Sequence, residues 1–208
     1  MSSTGRADRP TELPGARVLG FDDPAWSFEG PGTATLPHPG ELRLRAPRGA
    51  DLFSMPGHYE RAGIGSWHRT VPGDHTLWAS VAVEGRAFGD AGGLVVHDGA
   101  DWFKVCVERG RTGGWGIVTV VSRPVSDEAA GPALATARAE LLITREGRRH
   151  AVLHREHPDQ DWRFVRTFAG SGAAQVRVGL FAQAPFSDAC TASFAPPGFA
   201  PAALSDRR

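Results

Sequence analysis

The stretch DAGGLVVHDGADWFKVCVE, Asp90–Glu108, decides the fold of this chain. Two runs rich in apolar residues flank the dipeptide Asp98-Gly99. An Asp-Gly pair between such runs is a strong signal for a tight β-hairpin turn. A two-residue loop places His97 opposite Ala100, and a four-residue loop shifts the pairs but keeps every residue on its face. The sequence therefore predicts an antiparallel hairpin in the middle of the chain.

The two faces of this hairpin differ in composition. One face is wholly apolar and is predicted to lie in the core. Its members are Leu94, Val96, Phe103, Val105 and Val107. The opposite face mixes polar, aromatic and small residues: Gly93, Val95, His97, Trp102, Lys104, Cys106 and Glu108.

Lys104, the only lysine of the chain, shares the second face with Glu108. Four residues along a strand span about 13 Å. We predict that the two side chains form a pair and that Lys104 is partly buried in a pocket, because Gly93 opposite it leaves room above the sheet. Breaking a buried pair is costly, so Glu108→Gln is predicted to destabilise the fold more than the same change combined with Lys104→Met.

A sheet face that carries aromatic rings, an ammonium group and a carboxylate suits a sugar. Rings stack on the apolar faces of sugars, and charged groups bind hydroxyls. The preceding strand adds a tryptophan if its polar face joins this one, and neighbouring strands add a threonine and a glutamine. The predicted ligand-binding residues are Trp78, His97, Trp102, Lys104, Glu108, Thr119 and Gln183. Two other interpretations remain open, a solvated sheet face and a subunit interface.

Short alternating runs continue along the rest of the chain. With 26 glycines and 16 prolines between them, such runs are typical of an all-β sandwich or barrel. Residues Asp127–Ala139 are predicted to form a loop, because Gly131-Pro132 interrupts any helix. The ten predicted strands are Glu41–Ala46, His75–Glu84, Ala91–His97, Asp101–Glu108, Trp115–Ser122, Glu140–Arg145, His150–His154, Trp162–Phe168, Gln175–Gln183 and Thr191–Phe194.

The length of 208 residues suits one domain, since β-sandwiches of this size are usually single. We predict a flexible N-terminal tail over 1–17, one domain over 18–195 and a C-terminal tail over 196–208. No apolar run reaches 18 residues and the start lacks an apolar signal core, so we expect no membrane partner and a cytoplasmic location.

Charge and motif patterns exclude several function classes. The 23 Lys and Arg residues balance the 23 Asp and Glu residues, which argues against a nucleic-acid partner. His150 and His154 on one strand lie about 13 Å apart, too far for one zinc ion. Cys106 and Cys190 have no metal or redox spacing and are interpreted as buried thiols. No phosphate-binding loop or dinucleotide fingerprint occurs, so no metal or cofactor is predicted.

The segment Asp90–Glu108 also resembles the signature of the family described as "regulation of enolase protein", within the concanavalin A-like lectin/glucanase superfamily. Asp51-Leu-Phe53 is similar to the start of that family's domain, and Val178–Pro185 to its late strand. Glu128 stands where the family has tryptophan. The positions that match the central signature are Asp90, Ala91, Gly93, Leu94, Trp102, Lys104 and Glu108.

The resemblance implies a concanavalin A-like jelly-roll sandwich of two antiparallel sheets with the ligand face on a concave sheet, but no common reaction. Retaining glucanases of the superfamily carry Glu-x-Asp-x-x-Glu on one strand, and this motif is absent here. A second carboxylate could come only from a loop, such as Asp90, Asp127 or Asp188. We therefore expect a non-catalytic protein that binds a small saccharide. The alternatives are a regulatory or homodimeric interaction module and a weak glycoside hydrolase.

Overall fold

The computed structural model describes residues 9–205, in which nearly all of the regular secondary structure is β-strand. A short 3-10 helix lies at Pro10–Glu12. The strands are β1 (Arg17–Val18), β2 (Ser27–Glu29), β3 (Thr33–His38), β4 (Glu41–Pro47), β5 (Asp51–Met55), β6 (Tyr59–Gly63), β7 (Gly65–Pro72), β8 (His75–Glu84), β9 (Ala91–Asp98), β10 (Asp101–Arg109), β11 (Trp115–Ser122), β12 (Ser126–Leu134), β13 (Arg138–Glu146), β14 (Arg149–Arg155), β15 (Arg163–Ala169), β16 (Gln175–Gln183), β17 (Ala189–Phe194) and β18 (Gly198–Ala200).

The strands form two large antiparallel sheets. One sheet has seven strands in the order β12-β11-β10-β9-β16-β7-β2. The other has nine, with the path β15-β14-β13-β8-β17-β4-β3 and with β18 and β1 attached beside β8. A separate hairpin consists of β5 and β6. The predicted all-β jelly-roll sandwich is confirmed, and each of the ten predicted strands corresponds to an observed one.

The core lies between the two sheets, where alternating side chains meet. In β4, Leu42, Leu44 and Ala46 are buried while the intervening arginines are exposed, as period-2 alternation requires. The apolar face predicted for the central hairpin is part of this core: Leu94, Val96, Phe103, Val105 and Val107. The opposite face of the seven-stranded sheet points away from the other sheet and is called the outer face below.

The central hairpin differs from its prediction in register. The loop is Gly99-Ala100 rather than Asp98-Gly99, so that Asp98 pairs with Asp101. This shift moves every pair by two residues and therefore leaves the two faces unchanged.

Val95, not Gly93, consequently lies opposite Lys104. Gly93 lies opposite Cys106, and a Cβ atom there would come within 2.0 Å of the carbonyl oxygen of Val105. The glycine thus permits a close approach of the two strands and does not open space above Lys104.

The loop predicted over Asp127–Ala139 is wrong for most of its length. Residues Ser126–Leu134 form β12, which is an edge strand of the seven-stranded sheet. Proline is tolerated on an edge strand because no neighbour needs its missing N–H. Gly131-Pro132 therefore excludes a helix, as predicted, but not a strand.

The predicted tails are only partly described. Residues 1–8 and 206–208 lie outside the described residues. Within the described part, Arg17–Val18 pairs with Gly198–Ala200, and β18 also pairs with β8. Leu204 is buried, so the C-terminal segment is packed onto the sheet as far as that residue. Across residues 9–205, no helix is long and apolar enough to cross a membrane.

Candidate functional site

The hairpin of β5 and β6 covers part of the outer face. Leu52 and Ile64 belong to a small apolar cluster with Val95, Cys106 and other residues of the sheet. At the edge of the sheet, the backbone N–H of Ser54 donates to the hydroxyl of Ser126 over 2.8 Å. The hairpin is therefore fixed to the sheet and closes one side of a cavity.

The cavity has a volume of about 300 Å³ and lies between the hairpin, the outer face and three loops. This volume is at the lower end of the range for small-molecule sites. Its polar lining consists of Asp51, Lys104, Glu108, Arg111, Glu128 and Gln183.

Lys104 is enclosed by two acceptors. Its Nζ donates to Asp51 Oδ1 over 2.8 Å and to Gln183 Oε1 over 2.7 Å, and its side chain is 3% exposed. Gln183 is itself held, since its amide donates to the carbonyl oxygen of Gly89 over 2.8 Å. The predicted burial of Lys104 is confirmed, but its partner is Asp51 and not Glu108.

Glu108 is left almost without partners. It is 8% exposed, and its only hydrogen bond among the described residues is a long one from the thiol of Cys106, 3.9 Å. Burial raises the pKa of Glu108 to about 7, with Lys104 opposing and the charges of Glu128 and Asp51 adding to the rise. A carboxyl group that titrates near neutrality in a cavity is a frequent property of functional sites.

Aromatic rings form the wall opposite these polar groups. Phe88 and Phe186 stack with centroids 5.9 Å apart, and Tyr59 lies 5.9 Å from Phe186 and 6.0 Å from Phe53. The guanidinium of Arg111 lies 3.9 Å from the centroid of Phe88. The cavity therefore has one aromatic side and one polar side.

The buried carboxylate of Asp90 fixes the two loops that carry Phe88 and Phe186. Its Oδ2 accepts from the backbone N–H groups of Arg86 and Ala87 at 2.7 and 3.0 Å. Its Oδ1 accepts from the hydroxyl of Ser187 at 2.7 Å. Both rings are thus positioned by hydrogen bonds to one side chain.

Tyr59 presents a hydroxyl group to the same space. Burial, followed by the charge of the nearby Asp51, raises the pKa of Tyr59 to about 12. The hydroxyl oxygen is buried and makes no hydrogen bond of normal geometry within the described residues. It lies close to the Asp51 carboxylate, but no hydrogen bond of normal geometry commits it there.

Comparison with protein families gives one match that spans most of the chain. The family described as "Protein of unknown function (DUF1349)" matches residues 28–199. The chain belongs to the DUF1349 family. No curated protein matches the sequence.

Solved structures share the fold of this DUF1349 chain at low sequence identity. A functionally unknown protein from Saccharomyces cerevisiae has a TM-score of 0.77 at 15% identity, over 85% of this chain and 96% of that one. A xylan beta-1,4-xylosidase from Bacillus halodurans has 0.67 at 17%, over 95% and 41%. An alginate lyase from Klebsiella pneumoniae has 0.60 at 11%, over 88% and 96%. The DUF1349 chain thus spans about two fifths of the xylosidase, and these likenesses show the fold alone.

Three of the seven predicted ligand-binding residues of the DUF1349 chain line the cavity, namely Lys104, Glu108 and Gln183. Trp102 lies on the outer face but packs against the cluster under the hairpin, so it does not line the cavity as the predicted stacking ring. His97 lies opposite Trp102 and Arg177, away from the cavity. Burial, together with the charge of nearby Arg177, lowers the pKa of His97 to about 4.

Trp78 and Thr119 lie elsewhere. Trp78 is on β8, which belongs to the nine-stranded sheet, and it packs near Leu142 and Leu204. Thr119 lies opposite Val105 on the core face and accepts a hydrogen bond from Arg166 at 3.3 Å. The expectation that these two residues join the ligand face is therefore wrong.

The three loop carboxylates named above as candidates for a second catalytic group have other partners. Asp90 is the buried loop anchor described above, Asp127 pairs with Arg166 at 2.8 Å, and Asp188 pairs with Arg48 at 2.6 Å. The carboxylates that join Glu108 in the cavity are Asp51 and Glu128. Both lie in segments that resemble the family pattern, but neither is among the predicted ligand-binding residues.

Larger grooves occur on the nine-stranded sheet but show fewer features of a ligand site. One of these, about 540 Å³, is lined mainly by charged and small residues and has no aromatic side chain. A similar groove of about 530 Å³ contains Glu41, which is already bound by Arg43 at 2.6 Å and by His38 at 3.0 Å. Over residues 9–205, no three His, Cys, Asp or Glu side chains cluster in a way that would hold a metal ion.

We expect Glu108→Gln to stabilise the protein at pH 8. Burial raises the pKa of Glu108 above its value in the unfolded chain, so the unfolding free energy falls as pH rises from about 4.5 to about 7. Glutamine removes this loss and is expected to add on the order of 2 kcal/mol at pH 8 and little at pH 4.5. Urea unfolding at both pH values measures the difference. A loss of stability at pH 8 would instead support the pairing of Glu108 with Lys104 predicted from the sequence.

Proposed function

We propose that this DUF1349 protein binds a small saccharide in the cavity beneath the hairpin of β5 and β6, without catalysing a reaction on it. The observation that carries the proposal is the two-sided lining of the cavity. Its aromatic wall suits the apolar face of a sugar ring, and its polar groups suit hydroxyls. The small volume favours one or two sugar units.

The polar groups differ in what they can offer a hydroxyl. The Glu108 carboxyl group and the Tyr59 hydroxyl are buried and weakly bound or unbound by the protein. Lys104 donates to Gln183 and to Asp51, and Gln183 donates to the carbonyl oxygen of Gly89, so these side chains hold the floor of the cavity in place. The carbohydrate-related names of two structural neighbours, the xylosidase and the alginate lyase, support this class of ligand.

Binding is tested by calorimetry with a panel of mono- and disaccharides. Phe186→Ala is the most informative variant, because Phe186 lines the cavity yet is 48% exposed, so its removal perturbs the core little. We expect Phe186→Ala to weaken binding by about tenfold through loss of the stacking surface. Phe164→Ala, which removes an exposed ring on β15 of the other sheet, is the matched control and should bind as the wild type does.

Two results would contradict the proposal. One is the failure of every saccharide in the panel to bind at millimolar concentration. The other is equal binding by Phe186→Ala and the wild type, since the ligand would then lie outside the cavity.

A second candidate function is glycoside hydrolysis. The specific observation in its favour is that Glu108, a carboxyl group with a pKa near 7, shares the cavity with the exposed Glu128. A general acid and a second carboxylate are the two groups that glycosidases require. Release of nitrophenol from nitrophenyl glycosides, abolished in Glu108→Gln and retained in Phe164→Ala, would support hydrolysis over simple binding.

A further inference from the structure

The charges that line the cavity do not balance. Asp51 and Lys104 form an ion pair at 2.8 Å and neutralise each other. Glu108, Glu128 and Arg111 remain, and within residues 9–205 none of the three has an ion-pair partner at hydrogen-bonding distance. With every group ionised, the cavity therefore carries one negative charge in excess.

Glu108 is the buried member of this set. It is more than nine-tenths buried, lines the cavity, and receives only the long contact from the Cys106 thiol. The charged and titratable groups that act on it are Lys104, Glu128, Asp51 and Cys106. A buried carboxylate without a partner is costly, so a ligand that brings a positive donor to this position gains more than one that brings a neutral hydroxyl.

The aromatic wall adds to the preference for a cation. The faces of aromatic rings carry partial negative charge and attract cations within about 6 Å of the centroid. Arg111 already occupies one such position over Phe88. Arg61 occupies another, 5.0 Å from the centroid of Tyr59. Among the described residues, the rings of Phe53 and Phe186 line the cavity and have no cation over them.

We propose that the ligand is an amino sugar, a saccharide that bears a free amine, whose ammonium group lies against Glu108 and Glu128 while its ring lies on the aromatic wall. This rests on the proposed function, because it names the class of saccharide that the same cavity takes. An acidic sugar would bring a third anion to two carboxylates that face a single unpaired cation, Arg111. A neutral sugar would leave the excess charge in place.

Calorimetric titration with three matched hexoses tests the proposal. Glucosamine, glucose and glucuronate share one ring and differ in an amine, a hydroxyl and a carboxylate. At pH 7 and fixed ionic strength, glucosamine should bind about tenfold more tightly than glucose, as a charge-assisted hydrogen bond replaces a neutral one. Glucuronate should bind most weakly.

The ratio of the glucosamine to the glucose affinity is the decisive quantity, because general damage to the cavity affects both sugars alike. Glu108→Gln and Glu128→Gln should each bring this ratio towards one. Glu60→Gln, on the exposed part of β6 and outside the cavity, is the control and should leave the ratio unchanged.

The possible outcomes separate the two proposals. If glucose binds as tightly as glucosamine, the amine preference is wrong while saccharide binding stands. If glucosamine is preferred and the preference survives in both Glu108→Gln and Glu128→Gln, these carboxylates do not receive the amine and the inference fails. If none of the three sugars binds, the amine preference fails, and the full panel of mono- and disaccharides decides the proposed function separately.

Discussion

Asp51→Asn is expected to lower the free energy of unfolding by about 3–5 kcal/mol, the largest effect of any single change proposed for this protein. The reason is the burial of Lys104, which is 3% exposed and has Asp51 as its only carboxylate partner within residues 9–205. Asparagine keeps the shape of the side chain but leaves the ammonium group without a counter-charge. Urea unfolding of the wild type and variant at pH 7 gives the difference.

The double variant Asp51→Asn, Lys104→Met shows whether the loss comes from the unpaired charge. Methionine fills similar space without an ammonium group, so the double variant should recover most of the stability lost in Asp51→Asn. Lys104→Met alone should also be destabilising, because Asp51 is then the buried group without a partner. Additive losses in the double variant would show that the two side chains act independently and would contradict the ion-pair argument.

Acid sensitivity is the second large effect expected. His75 and His150 are fully buried, and burial lowers the pKa of each to about 4. These side chains stay neutral in the folded protein but take up protons in the unfolded chain below about pH 6.5. Each of the two histidines therefore contributes its full stabilisation above that pH. As the pH falls from about 6.5 to about 4, the unfolding free energy decreases by about 1.4 kcal/mol per histidine for each pH unit.

Glu108 partly hides this effect in the wild type. Its raised pKa makes the unfolding free energy increase as the pH falls from about 7 to about 4.5, opposite in sign to the histidine contribution. Urea unfolding from pH 4.5 to 7.5 should therefore show a steeper acid loss in Glu108→Gln than in the wild type. Equal slopes in the two proteins would contradict the opposed titrations.

A histidine variant separates the two buried side chains. His150 lies between Phe103 and Phe168, with centroids 4.6 and 5.6 Å away, so phenylalanine suits its surroundings. In a Glu108→Gln background, His150→Phe should reduce the slope of the pH dependence by one histidine's share, up to about 1.4 kcal/mol per pH unit, whatever its effect on absolute stability. The rest of the slope stays, because His75 and His97 also have a pKa lowered to about 4. Replacement of the exposed His157 by asparagine is the control. An unchanged slope in His150→Phe would place the acid sensitivity elsewhere.

Local sequence patterns predict much of the fold. The alternation in His75–Glu84 and Trp115–Ser122 predicts both strands with their observed bounds, because side chains of a strand point to opposite faces with a period of two. The same rule predicts the core face of the central hairpin. The rule does not predict the edge strand Ser126–Leu134, because five of its nine residues are small and it shows no apolar alternation.

The site depends on contacts that local patterns do not contain. Period-2 alternation says which residues of a strand share a face, but not to which sheet the strand belongs. For this reason the sequence predicts Trp78 on the ligand face, although its strand belongs to the other sheet. Asp51 lies 53 positions from Lys104 in the chain. Only the fold of the hairpin of β5 and β6 over the outer face brings them together, whereas Glu108 is the nearest carboxylate on the same face of the strand.

The enclosure of Lys104 has a practical consequence for how this protein is observed. It is the only lysine in the sequence, so isotopic labelling of lysine places a single side-chain reporter at the floor of the cavity. A nuclear magnetic resonance spectrum of that ammonium group would register a bound molecule without any substitution. Coupling chemistry directed at lysine, by contrast, finds its one target beneath the hairpin. A biosensor surface should therefore hold this protein through an added terminal tag and not through its amine side chain.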